Sequence, residues 1–242
     1  METTEKLKFN FCDGSPEKNE VVIRRGEAAK IHIPTGIKIE NATINAVQEY
    51  LKKNGISADE IQNSFVVFSY ENLYLKLSFA HRRENPDSIE GKLKLHPDLS
   101  VWDINGKTSY STFSLADFIK MNRHYFETKD VAMKLVSTLR DFKASIDKKI
   151  EAADDKRANR RVLVAQVAET NIPENFALLL PVFVGTEPVK VNVEININAD
   201  DLSCNLISPD LKQIIDQETK KVIDDELDAI KALYPELRVF QK

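Results

Sequence analysis

The sequence predicts an α+β protein in which helices pack on one face of an antiparallel β-sheet. Residues 189–197 alternate strictly between apolar and polar side chains, as half-buried antiparallel strands do. Residues 176–184 are almost continuously apolar, which indicates a central strand covered on both faces. Two longer segments, 129–155 and 210–233, repeat apolar side chains every three or four positions. That period predicts amphipathic helices.

The first forty residues are predicted to form an extended arm of short strands and turns. Leu7, Phe9 and Phe11 alternate with polar side chains, and residues 13–16 have the composition of a turn. Two arrangements fit this pattern. Either the arm folds into a small sheet of its own, or it reaches out and docks on another subunit.

The middle of the chain carries a series of predicted elements. In order, they are a helix over residues 41–54, a hairpin of strands over 65–70 and 73–80, a strand over 92–96 and a helix over 115–125. The helix that follows, over residues 129–155, would be roughly 40 Å long. A helix that only covers one sheet of a compact domain does not need this length. Residues 148–161 are densely charged, so we expect this part to project or to bridge two halves of the chain.

The C-terminal part is predicted to add a strand over residues 202–207 and a closing helix over 210–233. The side chains expected to face inward on that helix are Leu211, Ile214, Ile215, Val222, Leu227, Ile230 and Leu233. These elements suggest three parts: an N-terminal arm (1–40), an α+β part ending in the long helix (41–156), and a sheet with a C-terminal helix (157–242). The second and third parts could also be one domain.

Composition excludes several classes of protein. The formal charge of -4 argues against a generally basic, nucleic-acid-binding surface. Two cysteines do not make a disulfide framework or a zinc site, so a cytosolic protein with free thiols is expected. The charged N-terminus predicts no signal peptide, and no apolar run approaches the ~20 residues that a membrane helix needs.

The sequence contains no recognisable catalytic or cofactor-binding motif. The glycines are too dispersed for a phosphate-binding loop or a dinucleotide fingerprint, and the four histidines have no metal-ligand spacing. We therefore expect no cofactor, no metal ion and no enzymatic activity. An unrecognised hydrolase that uses His81 or His96 with a spatially assembled acid is the alternative.

Two basic clusters are the candidate contacts for nucleic acid or another anion. They comprise Arg82, Arg83, Arg157, Arg160 and Arg161. The first pair equally fits a solvated loop between strands. The other three stand beside acidic residues and equally fit a salt-bridged helix end.

Two motifs carry a resemblance to a known family. The first reads Ile-Pro-x-x-Phe at residues 172–176 and Leu-Pro-Val-Phe-x-Gly at residues 180–185. The second reads His-Pro-x-Leu-x-x-Trp at residues 96–102. With these motifs the chain resembles the YfdQ-like family of uncharacterised phage and prophage proteins over residues 60–235. In the strand over 189–197 it has Asn and Glu where that family tends to carry arginines.

The resemblance implies a phage-encoded protein that acts in the bacterial host cytoplasm, and it brings no family activity with it. The leading hypothesis is a non-enzymatic phage or prophage protein that forms a homo-oligomer and binds a host or phage protein. The first alternative is a nucleic-acid-associated protein of phage replication or recombination. The hydrolase is the second.

Overall fold

The computed structural model of the chain describes residues 35–79, 85–152, 173, 175–198 and 201–242. Residues Thr35–Lys242 belong to one compact unit. The α+β class is confirmed. The strands are β1 (Lys38–Ala42), β2 (Phe65–Ser69), β3 (Tyr74–Phe79), β4 (Asp87–Lys92), β5 (Tyr110–Ser111), β6 (Phe176–Pro181), β7 (Pro188–Ile197), β8 (Ser203–Ile207) and β9 (Arg238–Gln241). The helices are α1 (Ala46–Asn54), α2 (Ala58–Ile61), α3 (Pro97–Trp102), α4 (Thr112–Met121), α5 (Lys129–Ala152) and α6 (Leu211–Leu233).

The larger of two sheets has the strand order β1-β4-β3-β2-β9 among the described residues. Its three central strands are antiparallel, and the predicted hairpin is confirmed as β2 and β3, in which Val66 lies opposite Leu77. Both edges are parallel instead, because β1 pairs with β4 and β9 pairs with β2. The sequence pattern does not predict β9, since four residues are too few to establish a period.

The smaller sheet is antiparallel and has the order β5-β8-β7-β6 within the described part of the chain. In β7 the predicted alternation is confirmed. Val191 and Val193 are buried, whereas Lys190 and Asn192 are exposed. This sheet therefore has one face packed on the core and one polar face, as antiparallel sheets commonly do.

Strand β6 differs from the prediction of a central strand covered on both faces. Phe176, Leu178 and Leu180 are buried, but the side chains between them are only half-buried. Among the described residues its neighbour in the sheet is β7 alone. The apolar run is continuous for another reason: Val182 and Phe183, beyond the end of the strand, are buried in a different part of the core.

In the part of the chain that the structure describes, buried side chains form two hydrophobic clusters that share helix α6. The first packs α3, α4 and α5 on the smaller sheet and contains the fully buried Trp102. The second packs α1 on the larger sheet. Helix α6 contributes Leu211 to the first cluster and Ile223, Leu227 and Ile230 to the second. The C-terminal helix therefore runs across both cores.

The two sheets join where the chain after β4 meets the chain after β6. The amide of His96 donates to the carbonyl of Val182 over 2.8 Å, and the amide of Val184 donates to the carbonyl of Lys94 over 2.9 Å. The strand predicted over residues 92–96 is instead the end of β4 followed by this junction. Lys94 and His96 belong to the connection, because their backbone partners, Val184 and Val182, follow β6.

The predicted helices are confirmed, with shifted ends. Helix α1 begins at Ala46 rather than near Asn41, which is still part of β1. Helix α4 ends at Met121 and a single 3-10 turn follows it. On α6 one predicted inward residue is wrong: Leu233 is 40% exposed, whereas Ile223 is fully buried. Leu233 is the last residue of the helix and is not part of either hydrophobic cluster.

Candidate functional site

The five arginines predicted to contact nucleic acid or an anion lie outside the described residues, as does His81 of the hydrolase hypothesis. These assignments stay predictions. Most of the N-terminal arm and of the charged segment 148–161 also lies outside the described part of the chain.

His96, the second histidine of the hydrolase hypothesis, caps a helix. Its Nδ1 accepts a hydrogen bond of 3.3 Å from the amide of Asp98 at the start of α3, and the Asp98 carboxylate lies 3.2 Å away. Burial and a hydrogen bond to Asp98 also raise the pKa of Tyr125 to about 12. These contacts are those of a structural cap, and the hydrolase hypothesis stays a prediction.

No group of three or more histidine, cysteine, aspartate or glutamate side chains among the described residues could hold a metal ion. No helix in the same residues has the length and apolar content to cross a membrane.

Helices α4 and α5 pack against each other, and several apolar side chains are exposed on their outer sides beside polar ones such as Lys120 and Lys134. On α4, Phe113 is 50% exposed and Met121 is 79% exposed, at positions eight residues apart on one side of the helix. On α5, Met133 is 37% exposed. The opposite sides of both helices carry the buried residues, such as Leu115 and Leu139. The exposed side chains therefore are not part of the core.

An ion pair lies in the middle of this surface. Asp117 stands halfway between Phe113 and Met121, and its Oδ1 accepts a hydrogen bond of 2.5 Å from Nη2 of Arg140 on α5. Both charged side chains are exposed, at 67% and 43%. We define the α4–α5 face by its five residues: Phe113, Asp117, Met121, Met133 and Arg140. It combines apolar side chains with one acid and one base.

A groove of about 590 Å³ lies between α5 and the pair β6–β7. Its apolar part includes Val131, Leu135 and Phe176. At its rim, Nζ of Lys190 on β7 donates to Oε1 of Glu127 over 3.2 Å. Both partners of that pair are more than half exposed, so it contributes little to stability.

A more enclosed cavity, of about 730 Å³, lies along the edge of β4. It occupies the interval between the end of β1, which pairs with β4 up to Gly91, and the junction of the two sheets at Leu95 and Phe183. Helix α6 forms its third wall through Val222, Asp225 and Glu226. The interval exists because β1 pairs with β4 only up to Gly91, whereas the segment after β6 pairs with the chain beyond β4, at Lys94 and His96.

Glu226 is the unusual residue of this cavity. Its Oε2 atom is buried and has no hydrogen-bond partner among the described residues. Burial raises the pKa of the carboxyl, and the nearby charge of Lys52 on α1 acts in the opposite direction. A carboxylate that is desolvated and unpaired is a candidate for contact with a ligand.

Sequence reasoning missed most of these residues. Phe113 is an aromatic residue at an exposed position, whereas the nearby Trp102 is buried. The spacing of Phe113, Asp117 and Met121 gave a signal, because residues at i, i+4 and i+8 share a side of a helix that the core residues do not occupy. No sequence signal marks Glu226, since its environment is assembled from three distant segments.

The described residues form an α+β fold of two sheets with an exposed helix-pair surface and a charged cavity. Comparison with models of protein families, with curated proteins and with solved structures finds no match for the chain. The resemblance to the YfdQ-like family therefore stays a prediction.

Proposed function

We propose that the protein is a non-enzymatic phage or prophage protein that assembles with itself through the α4–α5 face and binds a host or phage protein. The observation that carries the self-assembly is the exposure of Phe113, Met121 and Met133 around a charged pair on two packed helices. Single exposed apolar residues are normal on protein surfaces, but grouped ones are typical of interaction sites.

A second copy of this chain is the partner that the α4–α5 face fits best. In a two-fold dimer both copies use the same surface, so that surface must contain both members of each complementary pair of side chains. Asp117 and Arg140 supply this complementarity, since the acid of one copy can face the base of the other. The apolar side chains on either side of the pair would then be removed from water, which drives association.

The remaining parts of the proposal have separate support. The absence of a recognisable catalytic motif in the sequence supports a protein without enzymatic activity, and His96, one of the two histidines of the hydrolase hypothesis, caps α3. A host or phage protein as the further partner rests on the resemblance to the YfdQ-like family. Binding of nucleic acid stays the alternative, and it depends on the five arginines that lie outside the described residues.

The experiment is sedimentation velocity of the full chain over a range of concentrations, with Met121→Asp as the test variant. We expect the unaltered protein to sediment as a discrete dimer and Met121→Asp to sediment as a monomer, because a carboxylate would be buried in the interface. Leu95→Asp is the matched control, since Leu95 is 48% exposed at the junction of the two sheets and is not part of the α4–α5 face. It is expected to remain dimeric. Equal effects of the two variants would contradict the proposal.

A further inference from the structure

The cavity beside β4 has an acidic wall and a basic wall. Asp225 and Glu226 line it from α6, and Lys92 and Lys94 line it from the end of β4. Neither lysine forms an ion pair with any residue that the structure describes, although two carboxylates line the same cavity. The acidic and basic side chains that line the cavity therefore do not form ion pairs with each other.

Glu226 gives the acidic wall a defined contact point. Its buried Oε2 has no donor among the described residues, and a buried acceptor left without a partner costs free energy that a ligand can recover. The donor that would compensate a carboxylate best is a cation with N–H groups, because charge-assisted hydrogen bonds are the stronger ones.

The rest of the lining combines apolar side chains with four polar residues: Asn41, Thr43, Asn45 and Thr186. Ile44 comes from the loop after β1, Leu93 follows β4, and Val222 precedes the two acids by one turn of α6. Val184, at the junction of the sheets, is 56% exposed and also lines the cavity. The volume of about 730 Å³ lies within the range of small-ligand sites.

We propose that this cavity binds a small zwitterion with an apolar body, of the amino-acid or short-peptide class. The ammonium group of the ligand would donate to Glu226, and its carboxylate would lie against Lys92 and Lys94. The apolar side chain would pack on the lining between them. This site is separate from the α4–α5 face, and neither proposal depends on the other.

The test is calorimetric titration of the full chain with L-leucine and with the dipeptide leucyl-leucine. Two analogues of leucine separate the ends of the ligand: 3-methylbutylamine lacks the carboxylate, and 4-methylpentanoate lacks the amine. We expect each analogue to bind at least about tenfold more weakly than leucine, because each loses one charge-assisted contact. A tighter dipeptide would assign the site to short peptides, and a tighter leucine would assign it to free amino acids.

Glu226→Gln changes the charge of the acidic wall and keeps its shape. We expect this variant to bind leucine about tenfold or more weakly and to bind 4-methylpentanoate as the unaltered protein does. Asp228→Asn is the control, since it removes a carboxylate from an exposed position on α6 that does not line the cavity. Three results would overturn the proposal: no binding of leucine or leucyl-leucine at millimolar concentration, an amine analogue that binds as tightly as leucine, or unchanged leucine binding by Glu226→Gln.

Discussion

The hydroxyl of Tyr70 donates a hydrogen bond of 2.6 Å to the carboxylate of Asp224, a residue 154 positions further along the chain. Tyr70 directly follows β2, and Asp224 lies in the middle of α6. This contact therefore ties the hairpin of the larger sheet to the helix that both cores share. It lies beside Phe68 and Leu227, which belong to the second hydrophobic cluster.

We expect Tyr70→Phe to lower the free energy of unfolding by about 1 kcal/mol, because it removes one hydrogen bond to a partly buried carboxylate. Tyr74→Phe removes a hydroxyl that has no hydrogen bond with the described residues, and its effect should lie within about 0.5 kcal/mol of zero. Urea denaturation of both variants measures the difference. Equal destabilisation by the two substitutions would show that the contact with Asp224 does not stabilise the fold.

At alkaline pH, ionisation of two tyrosines should lower the free energy of unfolding. The hydrogen bond to Asp224 raises the pKa of Tyr70 to about 12, and burial raises that of Tyr125 to about 12. A folded-state pKa above the unfolded value of about 10 means that the stabilisation is complete below pH ~10. It is then lost as the pH rises towards about 12.

Phenolate absorbance during a pH titration measures this effect. The protein contains six tyrosines, and we expect at least two of them to ionise late, near pH 12. Tyr70→Phe and Tyr125→Phe should each remove one late-ionising group. A titration in which every tyrosine ionises near pH 10 would contradict the contacts assigned to these two residues.

The periodic spacing of apolar residues predicted the strands and helices that bury one face in a hydrophobic core. Strand β7 and helices α5 and α6 follow from their apolar spacing, because burial of one face selects that spacing directly. The sequence did not predict that the apolar run before Gly185 serves both cores, since periodicity does not show which core a side chain enters. The cavity beside Glu226 was equally unpredictable, because it arises where segments distant in sequence leave an interval along one strand edge.

At the C-terminal end of the chain, too, periodicity did not predict which side chains are buried. Periodicity placed Leu233 inward, and the short strand β9 was missed. In the structure Leu237, just before β9, is only 4% exposed, whereas Leu233 is 40% exposed. The chain leaves the helix after Leu233 and returns to pair beside β2. Leu237 is thereby carried into the core by sheet pairing rather than by helix period.

These two leucines allow a direct test of β9. We expect Leu237→Ala to lower the free energy of unfolding by about 2–5 kcal/mol, as deletion of a buried leucine side chain does. Leu233→Ala is the matched control, and its cost should stay below about 1 kcal/mol because much of that side chain is already in water. Denaturation midpoints of both variants give the comparison. A larger effect at Leu233 would favour the helical periodicity over the observed strand.

Gly91 is required where the loop after β1 crosses β4. A Cβ atom there would lie 2.6 Å from the carbonyl oxygen of Ile44 and 2.7 Å from that of Thr43. Because both atoms belong to the backbone, we expect Gly91→Ala to cost about 1–3 kcal/mol of stability. The control is Gly185→Ala, where no atom lies within 4 Å of the added Cβ and only the φ of +87° opposes the change. Thermal denaturation should show the larger loss at Gly91, and the reverse order would contradict the packing of this loop.

The charged pair of the α4–α5 face provides the most direct test of self-assembly. An exposed pair such as Asp117 and Arg140 adds about 0–1 kcal/mol to folding, so reversing one charge should leave the monomer folded. In a two-fold dimer the same reversal places like charges opposite each other across the interface. Sedimentation velocity of Asp117→Arg, Arg140→Asp and the double variant separates these effects. We predict a dimeric unaltered protein, two monomeric single variants and a double variant in which the dimer is restored. An unaltered protein that stays monomeric at every concentration, or single variants that stay dimeric, would contradict self-assembly through this face.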